Sequence, residues 1–242
     1  MTKRRYNTML GVIGGMGPLA SSLFYDMIID KTDAGCDQEN LNMIIYSDSG
    51  MPDRTGAILS GDEEKVAEVR DRILKDAKVL ENAGCSAIAV TCNTAHYFVN
   101  MVRGEVGIPF IHMIEETAKE LAKTCKGKPV AILATDGTVK TRLYQNEFEK
   151  HGIVPYTPTE EGQKKVMSTI YDLIKQNKPV DADLWAEIEK EIKDAGCEAA
   201  ILACTELSVV KKELDLPEYY RDPMEIMADR CIEYYRAIGE IK

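Results

Sequence analysis

The chain has 242 residues, 45% of them hydrophobic, enough for one large domain or two smaller lobes with buried cores. Thirty basic against forty acidic residues give a formal charge of −10 with no Lys/Arg-rich run, which argues against non-specific binding to nucleic acid; an anionic ligand needs locally placed cations. Seven cysteines, odd in number and without a CxxC pair, argue against a disulfide framework and fit a reducing cytoplasm.

The first stretch, MTKRRYNTMLGVIGGMGPLASS, has basic residues before an apolar run, but four glycines and Pro18 interrupt it, so it does not read as a secretory signal. No later run approaches the roughly 20 apolar residues of a membrane span. From there, short apolar runs alternate with longer helical patterns. Residues 9–15, 42–47, 86–92, 128–135 and 198–204 read as buried parallel strands ending at small polar or glycine residues. Residues 63–84, 113–125, 138–152, 164–176 and 183–196 carry apolar residues at helical spacing, with Gly84, Gly152 and Gly196 placed as C-terminal caps. Such alternation predicts an α/β fold with parallel sheets and right-handed crossovers.

One phrase occurs twice. Asn82-Ala-Gly-Cys85 leads through a strand to Cys92, and Asp194-Ala-Gly-Cys197 leads through another to Cys204, with the cysteines seven residues apart each time. A weaker echo links 11–18 with 131–138. Two similar lobes follow, 1–104 plus 222–242 and 105–221, with 222–241 a helix that returns to the first lobe. Ligands of open parallel sheets bind beyond the carboxyl ends of the strands, so Cys92 and Cys204 are expected to face each other across a cleft between the lobes. A thiol there is expected to be partly exposed and lowered in pKa by a helix N-terminus, as a general base requires. Cys36, Cys85, Cys125, Cys197 and Cys231 read instead as small core residues.

The segments GVIGGMGPLAS, MPDRT, TCNTAH, IPFIHMIEETA, IYDLIK and ACTEL resemble the aspartate/glutamate racemase family, specifically its aspartate racemase branch. The likeness runs along nearly the whole chain; ACTEL stands where cell-wall glutamate racemases carry GCTHYP. It implies two pseudo-symmetric flavodoxin-like lobes, a homodimer, and racemisation without pyridoxal phosphate or metal. Cys92 and Cys204 would be the two bases, one thiolate removing the α-proton while the other thiol protonates the opposite face. Arg54 and Lys175 match the positions that hold substrate carboxylates, a role suited to cations in an acidic protein. Around Asn93, Thr94, Thr135, Thr138 and Thr205, backbone amides and hydroxyls are candidates for the α-carboxylate, with Thr138 equally readable as an N-cap. Met16 is expected on the cleft floor.

Three other readings compete. Gly15-Met-Gly17-Pro-Leu-Ala20 matches a dinucleotide fingerprint, although Pro18 is unusual there and no acidic residue follows at the expected distance. Cys92, His96 and Cys204 suggest zinc, but lack a fourth ligand; His96 reads better as a partner for loop backbone, and His112 and His151 as structural or surface residues. A binding protein without turnover would keep the cleft, but two intact cysteines count against it.

Overall fold

A computed structural model describes residues 8–239. The basic segment 1–7 and residues 240–242, which include the end of the expected last helix, lie outside the described residues.

The fold is α/β, with two parallel sheets. In the first, β1 (Met9–Gly14) lies between β2 (Met43–Ser47) and β3 (Cys85–Val90). Residues 109–111 run along the free edge of β3, where the Ile88 amide donates to the Pro109 carbonyl and the Ile111 amide to that of Ile88. In the second, β4 (Pro129–Ala134) lies between β5 (Val154–Tyr156) and β6 (Ala199–Ala203), and β7 (Tyr220–Arg221) pairs with β6. Counting 109–111, the strand order is the same in both sheets. The repeated phrase supplies β3 and β6, each beside the first strand of its sheet.

Nearly all these strands are apolar because helices cover both faces. On one face of the first sheet, Ile13, Ile88 and Val90 meet α3 (Glu63–Asn82) and α4 (His96–Val102) through Ile73, Leu80 and Phe98. On the other, Leu10, Val12 and Ala89 meet α1 (Pro18–Thr32) and α11 (Pro223–Ala237). In the second sheet Leu133 and Leu202 pack on α8 (Glu160–Ser168), α9 (Ala182–Asp194) and α10 (Leu207–Glu213), while Val130, Ile132 and Ile201 pack on α5 (Met113–Cys125) and α7 (Leu143–Lys150). The helix after each sheet's last strand therefore covers the other sheet: α5 follows 109–111 yet packs on β4, and α11 follows β7 yet packs on β1. Each large apolar side chain that α11 buries, such as Met227 or Ile232, contributes roughly 1.5–3 kcal/mol.

Gly84, Gly152 and Gly196 have φ of 87°, 73° and 73°, the left-handed conformation expected of helix caps. Two expected helices are interrupted. The 138–152 pattern starts earlier as α6 (Asp136–Lys140), breaks at Arg142 with φ 53°, and resumes as α7. The Thr141 hydroxyl helps close the first piece by bonding the Gly137 and Thr138 carbonyls, and the break turns Leu143 and Tyr144 into the core. The 164–176 pattern ends as an α-helix at Ser168 and continues as a π-turn over Thr169–Leu173 and a 3-10 turn over Ile174–Gln176. Cys36, expected in the core, is exposed. All seven cysteines are free.

Candidate active site between the two sheets

The carboxyl ends of β1 and β3 supply one wall. At the end of β1, Gly15 has φ 85°, and a Cβ there would lie 2.4 Å from the Asp48 carbonyl carbon, so only glycine lets the turn pass β2. The Gly15 amide donates to Ser21 Oγ at 3.0 Å, and Ser21 Oγ pairs with Thr91 Oγ1 at 3.0 Å. Met16 is buried, and its carbonyl accepts from Arg54 Nη2 at 3.0 Å. Arg54 opens α2 (Arg54–Ser60), capped by Asp53 through the Gly56 amide, and its Nη1 donates to the Pro52 carbonyl at 2.9 Å. Its buried Nε has no protein partner. Burial opposes the charge on Arg54, yet the Cys92 sulfur and the Asp53 and Glu206 carboxylates raise its pKa above the ordinary value.

The loop that carries Arg54 is braced from behind. Asp48, at the end of β2, receives Arg72 Nε at 2.5 Å and Nη2 at 2.7 Å, and its Oδ1 accepts from the Gly50 amide. Buried Asp76 stands close by with both carboxyl oxygens unpartnered; burial, then the Asp48 charge, push its pKa up to about 7. Because folded Asp76 holds its proton more tightly than the unfolded chain does, the stability it contributes is complete below about pH 4 and lost as pH rises through about 7. That loss is on the order of 4 kcal/mol. Asp76→Asn is expected to flatten this part of the profile and to be more stable than the parent at pH 8, read as urea midpoints from pH 4 to 8. An unchanged slope would remove Asp76 as its source.

Cys92 follows β3 and Cys204 follows β6. They are only 7% and 6% exposed, less open than expected. Burial and then the Glu206 carboxylate push the Cys204 thiol well above its ordinary pKa, the opposite of the expected lowering, with Lys175 as the opposing influence. The thiol donates to Glu206 Oε2 at 2.9 Å, and Lys175 Nζ donates to Glu206 Oε1 at 2.6 Å. Burial works against the Lys175 cation, but Glu206 and then Cys204 hold it charged, with Cys92 also contributing.

The two walls are joined by hydroxyls. Thr205 Oγ1 donates to the Thr91 carbonyl at 3.4 Å, linking the residues next to the two cysteines. Thr94 Oγ1 lies 2.9 Å from both Thr135 Oγ1 and Thr138 Oγ1, and Thr55 donates to Thr135 at 3.2 Å. Thr135 is the cap of α6, accepting from the Thr138 amide; Thr138 itself is not a cap. Asn93 Oδ1 accepts from Tyr144 at 2.5 Å, leaving its buried Nδ2 without a partner. The π-turn brings Tyr171 across to Asp53 at 3.4 Å and sets Lys175 against Glu206.

Thus all the residues singled out in the sequence as site candidates collect at the carboxyl ends of the two sheets. Glu206 was missed, although it touches Cys204, Thr205 and Lys175. The only signal for it was an acid two residues after a strand-end cysteine. The competing motifs find less support. A Cβ on Gly17 would lie 3.1 Å from Glu206 Oε1, so the glycine turn packs against the other wall. His96 accepts from the Met113 amide at 3.2 Å and meets the Cys92 carbonyl at 2.9 Å, and burial pushes it down to about 4, as fits a structural histidine. His112 is likewise structural, its Nδ1 accepting the Glu115 amide at the start of α5. Among the described residues no group of three or more His, Cys, Asp or Glu is placed to hold a metal ion, and no helix is long and apolar enough to cross a membrane.

Comparison with known proteins agrees with this fold. The model of the Asp/Glu/Hydantoin racemase family matches residues 13–231. The broad specificity amino-acid racemase RacX of Bacillus subtilis (strain 168) is 28% identical over 235 residues, covering 95% of this chain and 99% of that protein. Picrophilus torridus aspartate racemase superposes with a TM-score of 0.76 at 30% identity, covering 94% of each chain. An aspartate racemase homologue from Pyrococcus horikoshii OT3 gives 0.75 at 26% identity, covering 95% of this chain and 99% of that one.

Proposed function

Since the chain belongs to the Asp/Glu/Hydantoin racemase family and is an amino-acid racemase, we propose that it inverts the α-carbon of aspartate, and in second place of glutamate, with two cysteines and no cofactor. The observation that carries this reading is the pairing of each buried sulfur with a charged group: Cys92 beside the Arg54 cation and Cys204 on the Glu206 carboxylate, their strands joined through Thr205 and Thr91. Cys92 acts as a thiolate base on one face while Cys204 delivers its proton to the other; the reverse reaction exchanges the roles. The developing carbanion needs fixed positive charge in a dry site, and Arg54 and Lys175 supply it while holding the substrate carboxylates. The free Nδ2 of Asn93 and the hydroxyls of Thr94, Thr135, Thr138 and Thr205 serve the α-carboxylate, with Met16 beneath. The active form is a homodimer in the cytoplasm.

One observation favours a second reading. Lys175 is already paired with Glu206, which leaves Arg54 as the cation for a single carboxylate and suits a broader range of amino acids.

The deciding experiment follows L- and D-aspartate separately by circular dichroism in D₂O, with chelator-treated protein and no added cofactor. Loss of optical signal from both enantiomers with deuterium at the α-carbon is the expected result. A faster response to neutral amino acids in the same assay would favour the broader reading, and no exchange with any amino acid would sink both.

A further inference from the structure

The Cys204 sulfur is buried, but the carboxylate it bonds is not enclosed by the thiol alone. Glu206 Oε2 faces Sγ at 2.9 Å, while Oε1 faces Lys175 at 2.6 Å and lies near Gly17. Glu206 and Lys175 also form part of the lining of a cavity of about 380 Å³ whose other walls include Pro18, Leu19, Ile174 and Val209. Neither cysteine lines this cavity. The Glu206 carboxylate thus spans from a hydratable vestibule to a buried thiol.

This geometry matters to a two-base racemase for a reason of proton accounting. A turnover that starts with a Cys92 thiolate and a Cys204 thiol ends with the reverse distribution, so converting the same enantiomer again requires the free enzyme to reset. Cys92 must lose a proton to solvent and Cys204 must gain one. We infer that Glu206 is the proton relay through which solvent water in the vestibule reprotonates Cys204, an inference that rests on the two-base reading above. In the reset, the Glu206 carboxylate first takes a proton from water or buffer acid in the vestibule; its new carboxyl O–H bond then breaks as the Cys204 S–H bond forms, the carboxylate is restored, and the proton shed by Cys92 to solvent closes the balance. A thiolate beside a carboxylate is a strong base, so the transfer to sulfur runs downhill. Lys175, bonded to the other oxygen, keeps the carboxylate in place throughout.

Two rates separate a relay from a merely structural acid. Net conversion of a pure enantiomer needs the reset in every cycle. Interconversion of a labelled enantiomer inside an equilibrated racemate does not, because either enantiomer can return the enzyme to its starting form. Glu206→Gln, an isosteric change, is expected to lower the ratio of saturated net rate to tracer interconversion at least tenfold. Glu206→Asp keeps an ionisable oxygen and is expected to lower that ratio less. Parallel loss of both rates in the Gln variant, no loss of net rate, or an equal or larger drop in the Asp variant would overturn the relay while leaving the two-base mechanism standing. A parent enzyme that converts no amino acid would overturn the two-base reading and the relay with it.

Discussion

Racemisation of aspartate is expected to fall about 10²–10⁴-fold in Cys204→Ala and by a similar factor in Cys92→Ala, the range typical of losing a positioned acid or base. The two variants are not expected to behave alike in solvent exchange. Without Cys204, Cys92 beside Arg54 can still act as the base on one enantiomer and return deuterium to the same face, giving exchange without inversion. Without Cys92, the remaining thiol stays protonated against Glu206, so exchange from the opposite enantiomer is expected to be weaker. Nuclear magnetic resonance of the α-proton for each enantiomer in D₂O, with circular dichroism in parallel, reads both quantities. Full inversion by either variant would end the two-base mechanism; equal exchange by the two would end the asymmetry.

Arg54→Ala is the second large effect. It removes the cation beside Cys92 and leaves the carbonyls of Met16 and Pro52 without a donor they now share. Truncating one member of a buried, charge-assisted set costs several kcal/mol, so kcat/KM should drop about 10²–10³-fold for both enantiomers. Arg54→Lys should recover part of that, since it restores a point charge but not the fork that reaches two carbonyls at once. The freed carbonyls add a stability loss of about 1–3 kcal/mol in the alanine variant, measured as a shift in urea midpoint. A variant with parental kcat/KM and only the stability loss would make Arg54 a brace for the glycine turn and not a substrate ligand.

Much of the architecture is visible in the sequence because both sheets are covered twice. Strands buried on both faces read as short apolar runs, and the duplicated phrase by itself marks β3 and β6 as equivalent strands. The strands that escape detection are those with too little side-chain pattern to betray them. β5 has three residues including Pro155, β7 has two, and the edge segment 109–111 begins with a proline. The exchange of α5 and α11 is hidden for a different reason. Amphipathic spacing shows that a helix owns an apolar face, not which sheet receives it.

The site divides along the same line. Cys92 and Cys204 stand out because the repeat places them, and Arg54 and Lys175 because they sit in segments that resemble a known family. Glu206 does not, because an acid in ACTEL reads as a solvated charge until the fold closes over it and sets Lys175 against it. The expected lowering of the Cys204 thiol pKa fails for a related reason: local sequence shows a helix about to start, whereas the burial that dominates comes from tertiary structure, and the carboxylate two residues on adds to it.

The exchange of closing helices also constrains the order of folding during synthesis. Met224, Met227, Cys231 and Tyr235 complete the core of the sheet formed by β1, β2 and β3, yet they leave the ribosome after every strand of the second sheet. Most multi-lobed chains can fold the earlier part while the later part is still being made. Here the face of the earlier lobe that carries Leu10 and Val12 is covered only in part, by Phe24 and Ile28 of α1, until α11 emerges, so its consolidation is expected to follow synthesis of α11.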